Sequence, residues 1–319
     1  MKSAQIRSYG GSEVVEINQS TPLPNDPSSG KVLVRVKAAG VNPADWKLRE
    51  GYMQQMMPLQ FPSTLGMDFS GVIEKVGQEV SEFKQGDEVY GRASVMEGGS
   101  GAFAEMALAN ADSIAHKPKT LSHEEAAGLP LVGVSAWQAL VETMRLSKGQ
   151  RILIHGGAGG IGSIAIQLAK HLGAYVATTV STNDKEFVKE LGADEVVDYK
   201  TQTFEDLLPH DYDAAFDTVG GETYKRSFKV LKGGGSGIIV SMLEQPNQEL
   251  MDRFGIKAIF QFTQVNSERL TKLAQWVDQN NIRVNVDRTF PLDEAGKALD
   301  YQRDVHPRGK VVLTSKQDH

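Results

Sequence analysis

Cysteine is absent from all 319 residues. Its absence excludes disulfides, thiolate nucleophiles and thiolate-ligated zinc together. No run of about 18 apolar residues is available to span a bilayer. No block of like charge stands out among the 34 basic and 40 acidic residues, and the net charge is −6. Nucleic acid and membranes are therefore not expected partners on electrostatic grounds. Met1 opens into Lys2, Ser3 and Ala4 with no apolar signal segment behind it. With the missing cysteine, this sets the expectation of a cytoplasmic protein.

The length favours two domains over one. Residues 1 to about 120 read as β-rich and turn-rich, with strands at Val32–Ala38, Phe69–Val76 and Asp87–Gly91. Short strands between Gly-rich turns suggest a compact barrel-like fold. At Ser122 the texture changes, because serine followed three residues later by Glu125 forms a capping box. A second helix is expected through Ala136–Glu142. Strand and helix then alternate, with strands at Arg151–His155, Tyr175–Val180, Glu195–Tyr199, Tyr212–Asp217, Ile238–Met242 and Ile256–Val265. That alternation predicts an α/β fold with a parallel sheet covered on both faces. A helix from Ser267 to Asp278 leads away, and a strand at Gly309–Leu313 is placed to complete the first domain.

The alternating region opens on Gly156-Gly157-Ala158-Gly159-Gly160-Ile161-Gly162. Gly157, Gly159 and Gly162 have G-x-G-x-x-G spacing, with a strand before and a helix after. The three glycines suit a tight turn, close approach of backbone to a diphosphate, and close packing of helix on sheet. Free N–H groups and the positive end of the helix dipole favour the anion.

Further stretches add specificity. They are Ala39-Gly40-Val41-Asn42-Pro43-Ala44-Asp45, Leu65-Gly66-Met67-Asp68-Phe69-Ser70-Gly71, Gly86-Asp87-Glu88-Val89-Tyr90-Gly91, Ala126-Ala127-Gly128-Leu129-Pro130 and Leu191-Gly192-Ala193-Asp194. With these the chain resembles the medium-chain dehydrogenase/reductase superfamily, in its zinc-free quinone oxidoreductase and alkenal/enone reductase branch. The resemblance implies a Rossmann doubly wound parallel-sheet domain inserted into a GroES-like β-rich catalytic domain. The expected boundaries are 1–121 and 267–319 for the catalytic domain and 122–266 for the NADP-binding domain. Zinc-dependent relatives carry cysteine where this chain has Asn42, and Gly-His-Glu where it has Gly66-Met67-Asp68. Zinc needs about three N, S or O ligands, and methionine and asparagine are poor ones. No metal is expected.

The cofactor expected is NADP(H). An acid near the end of the second strand, about 20 residues past the glycines, would accept from the ribose 2′-hydroxyl of NAD. Here Thr179-Val180-Ser181-Thr182 carries none. In similar NADP-dependent relatives a serine, a lysine three residues later and a tyrosine after the third strand serve the phosphate. Ser181 and Tyr199 match; Asp184 stands at the lysine position, and Lys185 is the nearby base. Gly157, Ala158, Gly159, Gly160, Ile161 and Gly162 are expected at the diphosphate, and Val219, Ser241 and Met242 at the nicotinamide end.

Hydride transfer to a quinone or to the β-carbon of an α,β-unsaturated carbonyl needs donors for the developing oxyanion. In the resembled family the segment from Asn42 to Tyr52 borders the reacting centre. Asn42 is expected to face it with its amide, Tyr52 to donate its phenol, Lys47 to act as donor or cofactor contact, and Asp45 to orient its neighbours. Met53, Met56 and Met57 suit an adaptable wall over a flat substrate or plain core filling. His155 reads as packed. An enone-specific reductase and a non-catalytic, crystallin-like NADP-binding protein stand as alternatives. A homodimer is the family's usual state, with Ile238–Val240 as the strand available to pair across a two-fold axis.

Overall fold

A computed structural model of the chain describes residues 1–55 and 57–315. Met56, grouped above with Met53 and Met57, lies outside the described residues. In chain order, β1 (Ser3–Ile6), β2 (Glu16–Asn18) and β3 (Lys31–Val41) precede helix α1 (Pro43–Arg49). Strands β4 (Ser63–Thr64), β5 (Asp68–Val76), β6 (Glu88–Arg92), β7 (Met106–Asn110) and β8 (Ile114–His116) lead to α2 (His123–Ala127) and α3 (Pro130–Trp137). The alternating region holds β9 (Arg151–His155), α4 (Gly160–His171), β10 (Tyr175–Val180), α5 (Lys185–Glu190), β11 (Glu195–Asp198) and α6 (Phe204–Leu207). It continues through β12 (Ala214–Asp217), α7 (Gly221–Ser227), β13 (Ile238–Ser241), α8 (Gln248–Phe254) and β14 (Lys257–Phe260). Helix α9 (Ser267–Asn280), β15 (Val286–Pro291), α10 (Ala295–Asp304) and β16 (Lys310–Thr314) close the chain.

These elements form two compact units, Met1–Val134 with Val265–His319, and Ser135–Gln264. The first division falls at 134/135, later than the 121/122 read from the sequence. The change of texture at Ser122 is real, since Ser122 and Glu125 form the expected capping box. Helix α2 nevertheless stays with the first unit because Ala127 packs on Ala38 and Val312 of that unit's sheet.

In the first unit β16 lies antiparallel on β3, pairing Val311 with Val41 and Leu313 with Ala39. Both ends of the chain thus share one sheet, in the order β15-β16-β3-β5-β6-β8, with β7 also on β3. Val32, Val34 and Val36 alternate along β3 and enter a core with Phe69, Ile73, Val89, Phe103, Leu299 and Val311. Each such side chain contributes roughly 1.5–3 kcal/mol when fully buried.

The second unit is a six-stranded parallel sheet in the order β11-β10-β9-β12-β13-β14. The order reverses beside β9, so the carboxyl end of β9 is the switch point at which a doubly wound sheet binds ligands. Leu153, Ala177, Ala215 and Ile239 line up across four strands and pack with Phe204, Tyr212 and Phe228.

Three local expectations change. The helix expected at Ala136–Glu142 starts earlier as α3 and passes into a π-helical turn at Gln138–Thr143. The last strand of this sheet is β14, shorter than Ile256–Val265. Finally, β13 has β12 on one side and β14 on the other. Its ladder groups are used on both sides, so Ile238–Val240 is no free edge for a second copy.

Candidate functional site

The turn after β9 is built around missing side chains. Gly156 has φ +71°, a conformation that disfavours a side chain. A Cβ at Gly162 would collide with the Gly156 carbonyl oxygen, and one at Gly157 with the Thr178 hydroxyl. Gly159 is the N-cap of α4, and the nearest heavy atom to a Cβ there would be 3.4 Å away. Two glycines are thus required for packing, and the third leaves open backbone at the mouth of the turn. Gly160 and Ile161 begin α4, where the first N–H groups of a helix have no intrahelical partner. These residues fit a dinucleotide diphosphate. His155, just before the turn, is buried between the Thr179 hydroxyl (3.0 Å) and the Ser227 hydroxyl (2.8 Å). Ser227 donates to Thr223 O, so it accepts from His155 Nε2–H. Burial lowers the imidazole pKa to about 4, and the ring is neutral and packed.

At the end of β12, Asp217 gathers the next two loops. Its Oδ1 accepts from the backbone of Val219 (3.0 Å) and Gly220 (2.9 Å), and its Oδ2 accepts from the Ser241 hydroxyl (2.6 Å). Ser241 Oγ in turn accepts from Leu243 N and Glu244 N. Val219 is half exposed, while Ser241 is buried with its hydroxyl engaged inside the protein. Met242 Sδ lies 3.5 Å from Gln261 Nε2. Asp217 was not singled out in the sequence, where an acid at a strand end carries no distinguishing signal.

At the end of β10 the structure revises one inference. Ser181 donates to the carboxylate of Asp184 at 2.6 Å. The acid that Thr179–Thr182 lacks in sequence is therefore supplied by a fold-back three residues later. The serine-x-x-aspartate spacing of a capping box was the available signal. Lys185 Nζ pairs with Asp198 at 3.1 Å, and Thr182 donates to the same carboxylate at 2.6 Å. Tyr199 is 60% exposed.

The other candidates belong to the first unit, around α1. Asn42 caps α1, and its N–H donates to Asp45 Oδ2 at 2.7 Å. Its Nδ2 donates to Asp68 Oδ2 at 2.9 Å, and its Oδ1 accepts from Lys310 Nζ. Asn42 is fully buried. Its amide is engaged within the protein and does not stand open to a substrate as the sequence reading expected. Asp68 also accepts from Leu131 N and faces Arg92 Nε at 3.5 Å. Burial pushes the Asp45 carboxyl up to about 7 and lowers the Lys310 ammonium. Lys310 was missed because one lysine in a terminal strand gives no hint that it points inward.

Of the two remaining candidates in this segment, Tyr52 is exposed and Lys47 is half-buried. Tyr52 is 69% exposed, with its ring edge-on to Trp46 at 5.8 Å. Lys47 Nζ lies 5.6 Å from the Trp46 ring. Arg49, wholly buried, ties the end of α1 to Asp300 of α10 at 3.0 Å. Among the described residues no cluster of three or more His, Asp or Glu is arranged to hold a metal ion.

Known proteins carry the same organisation. Residues 28–119 match the alcohol dehydrogenase GroES-like domain and residues 191–313 the zinc-binding dehydrogenase family. The NADPH-dependent alkenal/one oxidoreductase of Arabidopsis thaliana chloroplasts is 36% identical, over 98% of this chain and 79% of its own. The mitochondrial NAD(P)H oxidoreductase RTN4IP1 of Mus musculus is 35% identical, over 97% and 87%. The quinone oxidoreductase of Coxiella burnetii superposes with a TM-score of 0.89 at 33% identity, covering 99% of both chains. These likenesses extend over nearly the whole chain, and it belongs to the medium-chain dehydrogenase/reductase superfamily, among its quinone oxidoreductases and alkenal/enone reductases.

Proposed function

We propose that this protein is an NADP(H)-dependent oxidoreductase that reduces a quinone or the carbon–carbon double bond of an α,β-unsaturated carbonyl. The observation that carries the reading is the turn at Gly156–Gly162, whose packing admits no side chain at Gly157 or Gly162 and whose mouth is open backbone. The bound nicotinamide supplies the hydride. The chain does the rest. Gly160 and Ile161 hold the diphosphate by backbone N–H groups, while the Gly159 N–H closes the turn on the Gly156 carbonyl. Asp217 fixes the turns that carry Val219 and Met242. Tyr52 is the exposed donor for the developing oxyanion, with Lys47 beside it. Asn42 and Asp45 are positioning residues that hold the start of α1.

The test is NADPH oxidation measured over a panel of quinones and alkenals. Turnover with either class supports the enzyme. Saturable NADPH binding without oxidation on any acceptor would sink it. We also propose a homodimer, in which β14, one of the two edge strands of its sheet, pairs with a second copy. Light scattering that gives a monomer mass removes that part. A cytoplasmic location is proposed, and cell fractionation tests it.

A further inference from the structure

The carboxyl ends of β10 and β11 are where a dinucleotide fold meets the ribose that carries the 2′ substituent. Asp184 ends the short turn after β10, with its carboxylate on the Ser181 hydroxyl at 2.6 Å. Asp198 ends β11, buried, and accepts from Thr182 and from the Lys200 N–H. The Thr182 hydroxyl and Lys185 hold Asp198 below the usual carboxylate range, so it stays ionised. The ammonium of Lys185, the cation nearest in sequence to Ser181, is already engaged by Asp198 at 3.1 Å.

This arrangement has consequences for the two nicotinamide dinucleotides. A 2′-hydroxyl can donate to a carboxylate, which accepts only. A 2′-phosphate carries close to two negative charges and can only accept. Beside Asp184 it meets a like charge, and it must compete with Asp198 for Lys185. Asp198 is fixed by its Thr182 and Lys200 contacts, whereas Asp184 sits in a partly exposed turn. Asp184 is therefore the residue through which substitution can change the balance without disturbing the sheet.

We propose that Asp184 is a specificity-determining residue that accepts from the ribose 2′-hydroxyl and admits NADH to the site alongside NADPH. The proposal rests on the dinucleotide site assigned above. It goes beyond that assignment by giving the chain dual cofactor use and naming the residue responsible.

The experiment measures dissociation constants for NADPH and NADH by nucleotide fluorescence. The fragments 2′,5′-ADP and 5′-AMP serve as competitors. The wild-type chain, Asp184→Asn and Lys185→Ala are compared. Wild type is expected to bind NADPH and NADH within about tenfold of each other, since one like charge at a partly exposed site has an effect of that size. Asp184→Asn keeps an acceptor for Ser181 but removes the charge. It should tighten NADPH and 2′,5′-ADP about tenfold and leave NADH and 5′-AMP unchanged or weaker. Lys185→Ala should weaken NADPH and 2′,5′-ADP alone. A wild-type preference for NADPH of 100-fold or more, unaltered by Asp184→Asn, overturns the proposal and leaves the dinucleotide site standing. Failure of all four nucleotides to bind both wild type and Asp184→Asn, with melting curves showing both folded, overturns the site and the proposal together.

Discussion

Lys310 Nζ donates to the amide oxygen of Asn42 and, at 2.9 Å, to the carbonyl of Val41. This single buried ammonium links the last strand of the chain to the end of β3 and the cap of α1. It also faces two acids, Asp45 and Asp68, that share its burial. Where zinc-dependent relatives gather ligands, this chain has a network with its own internal cation. Removing the cation from such a network leaves its buried partners undersatisfied, which costs more than the pair contributes.

Lys310→Met should therefore destabilise the protein by about 3–5 kcal/mol. Urea unfolding at pH 7 measures it. A loss below about 1 kcal/mol would mean that water or a shift of Asn42 makes good the missing ammonium.

The contrast between what was and was not legible in the sequence has a physical basis. The glycine turn was legible because each glycine answers a local steric demand, visible as spacing between an apolar run and an amphipathic helix. The parallel sheet was legible for the same reason, since Arg151–His155 and Ala214–Asp217 are apolar runs with turn residues after them. Lys310 and Asp217 were not legible, because what makes them important is the partner that folding brings from 268 residues away in one case and from the neighbouring strand in the other. Asn42 was misjudged on the same account. A zinc-ligand position in relatives suggested an amide facing substrate, but Lys310 and Asp68 take up that amide. Asp184 lies between these cases, because its place at the family's lysine position is legible in the sequence while its hydrogen bond with Ser181 is made only by the fold.

Gly159→Ala and Gly162→Ala should separate binding from packing. At Gly162 the added methyl meets backbone, so the helix must move off the turn; a loss of about 1–3 kcal/mol in stability is expected together with loss of NADPH binding. At Gly159 there is room for the methyl within the protein, and in the proposed site it stands against the diphosphate. Melting should change little while the NADPH dissociation constant rises at least about tenfold. Equal effects of the two variants on melting would refute this division of roles.

Tyr52→Phe tests the proposed donor. The ring and its edge-on contact with Trp46 are kept, and only the hydroxyl is lost. A hydrogen bond made to a developing oxyanion is worth about 100-fold in kcat. The expected result is a fall of roughly that size, with the NADPH dissociation constant unchanged. Unaltered kcat on every acceptor that the wild type reduces would leave Tyr52 a packing residue.

Asp45→Asn tests the buried carboxyl through pH. Burial raises its pKa from 3.8 to about 7, with the Asn42 N–H and the Lys310 and Arg92 charges working in the other direction. Between those two values the folded protein holds a proton that the unfolded chain has released. Stability from the neutral carboxyl is thus complete below about pH 4 and is lost as pH rises through 7. The amount at stake is at most about 4 kcal/mol, reduced by any relaxation of the network around the charge. Asparagine keeps an acceptor for the Asn42 N–H and does not titrate. Unfolding free energies measured from pH 4.5 to 8 should show wild type falling relative to Asp45→Asn across that range. Parallel curves would mean that Asp45 is ionised throughout, held by Lys310 more strongly than burial opposes it.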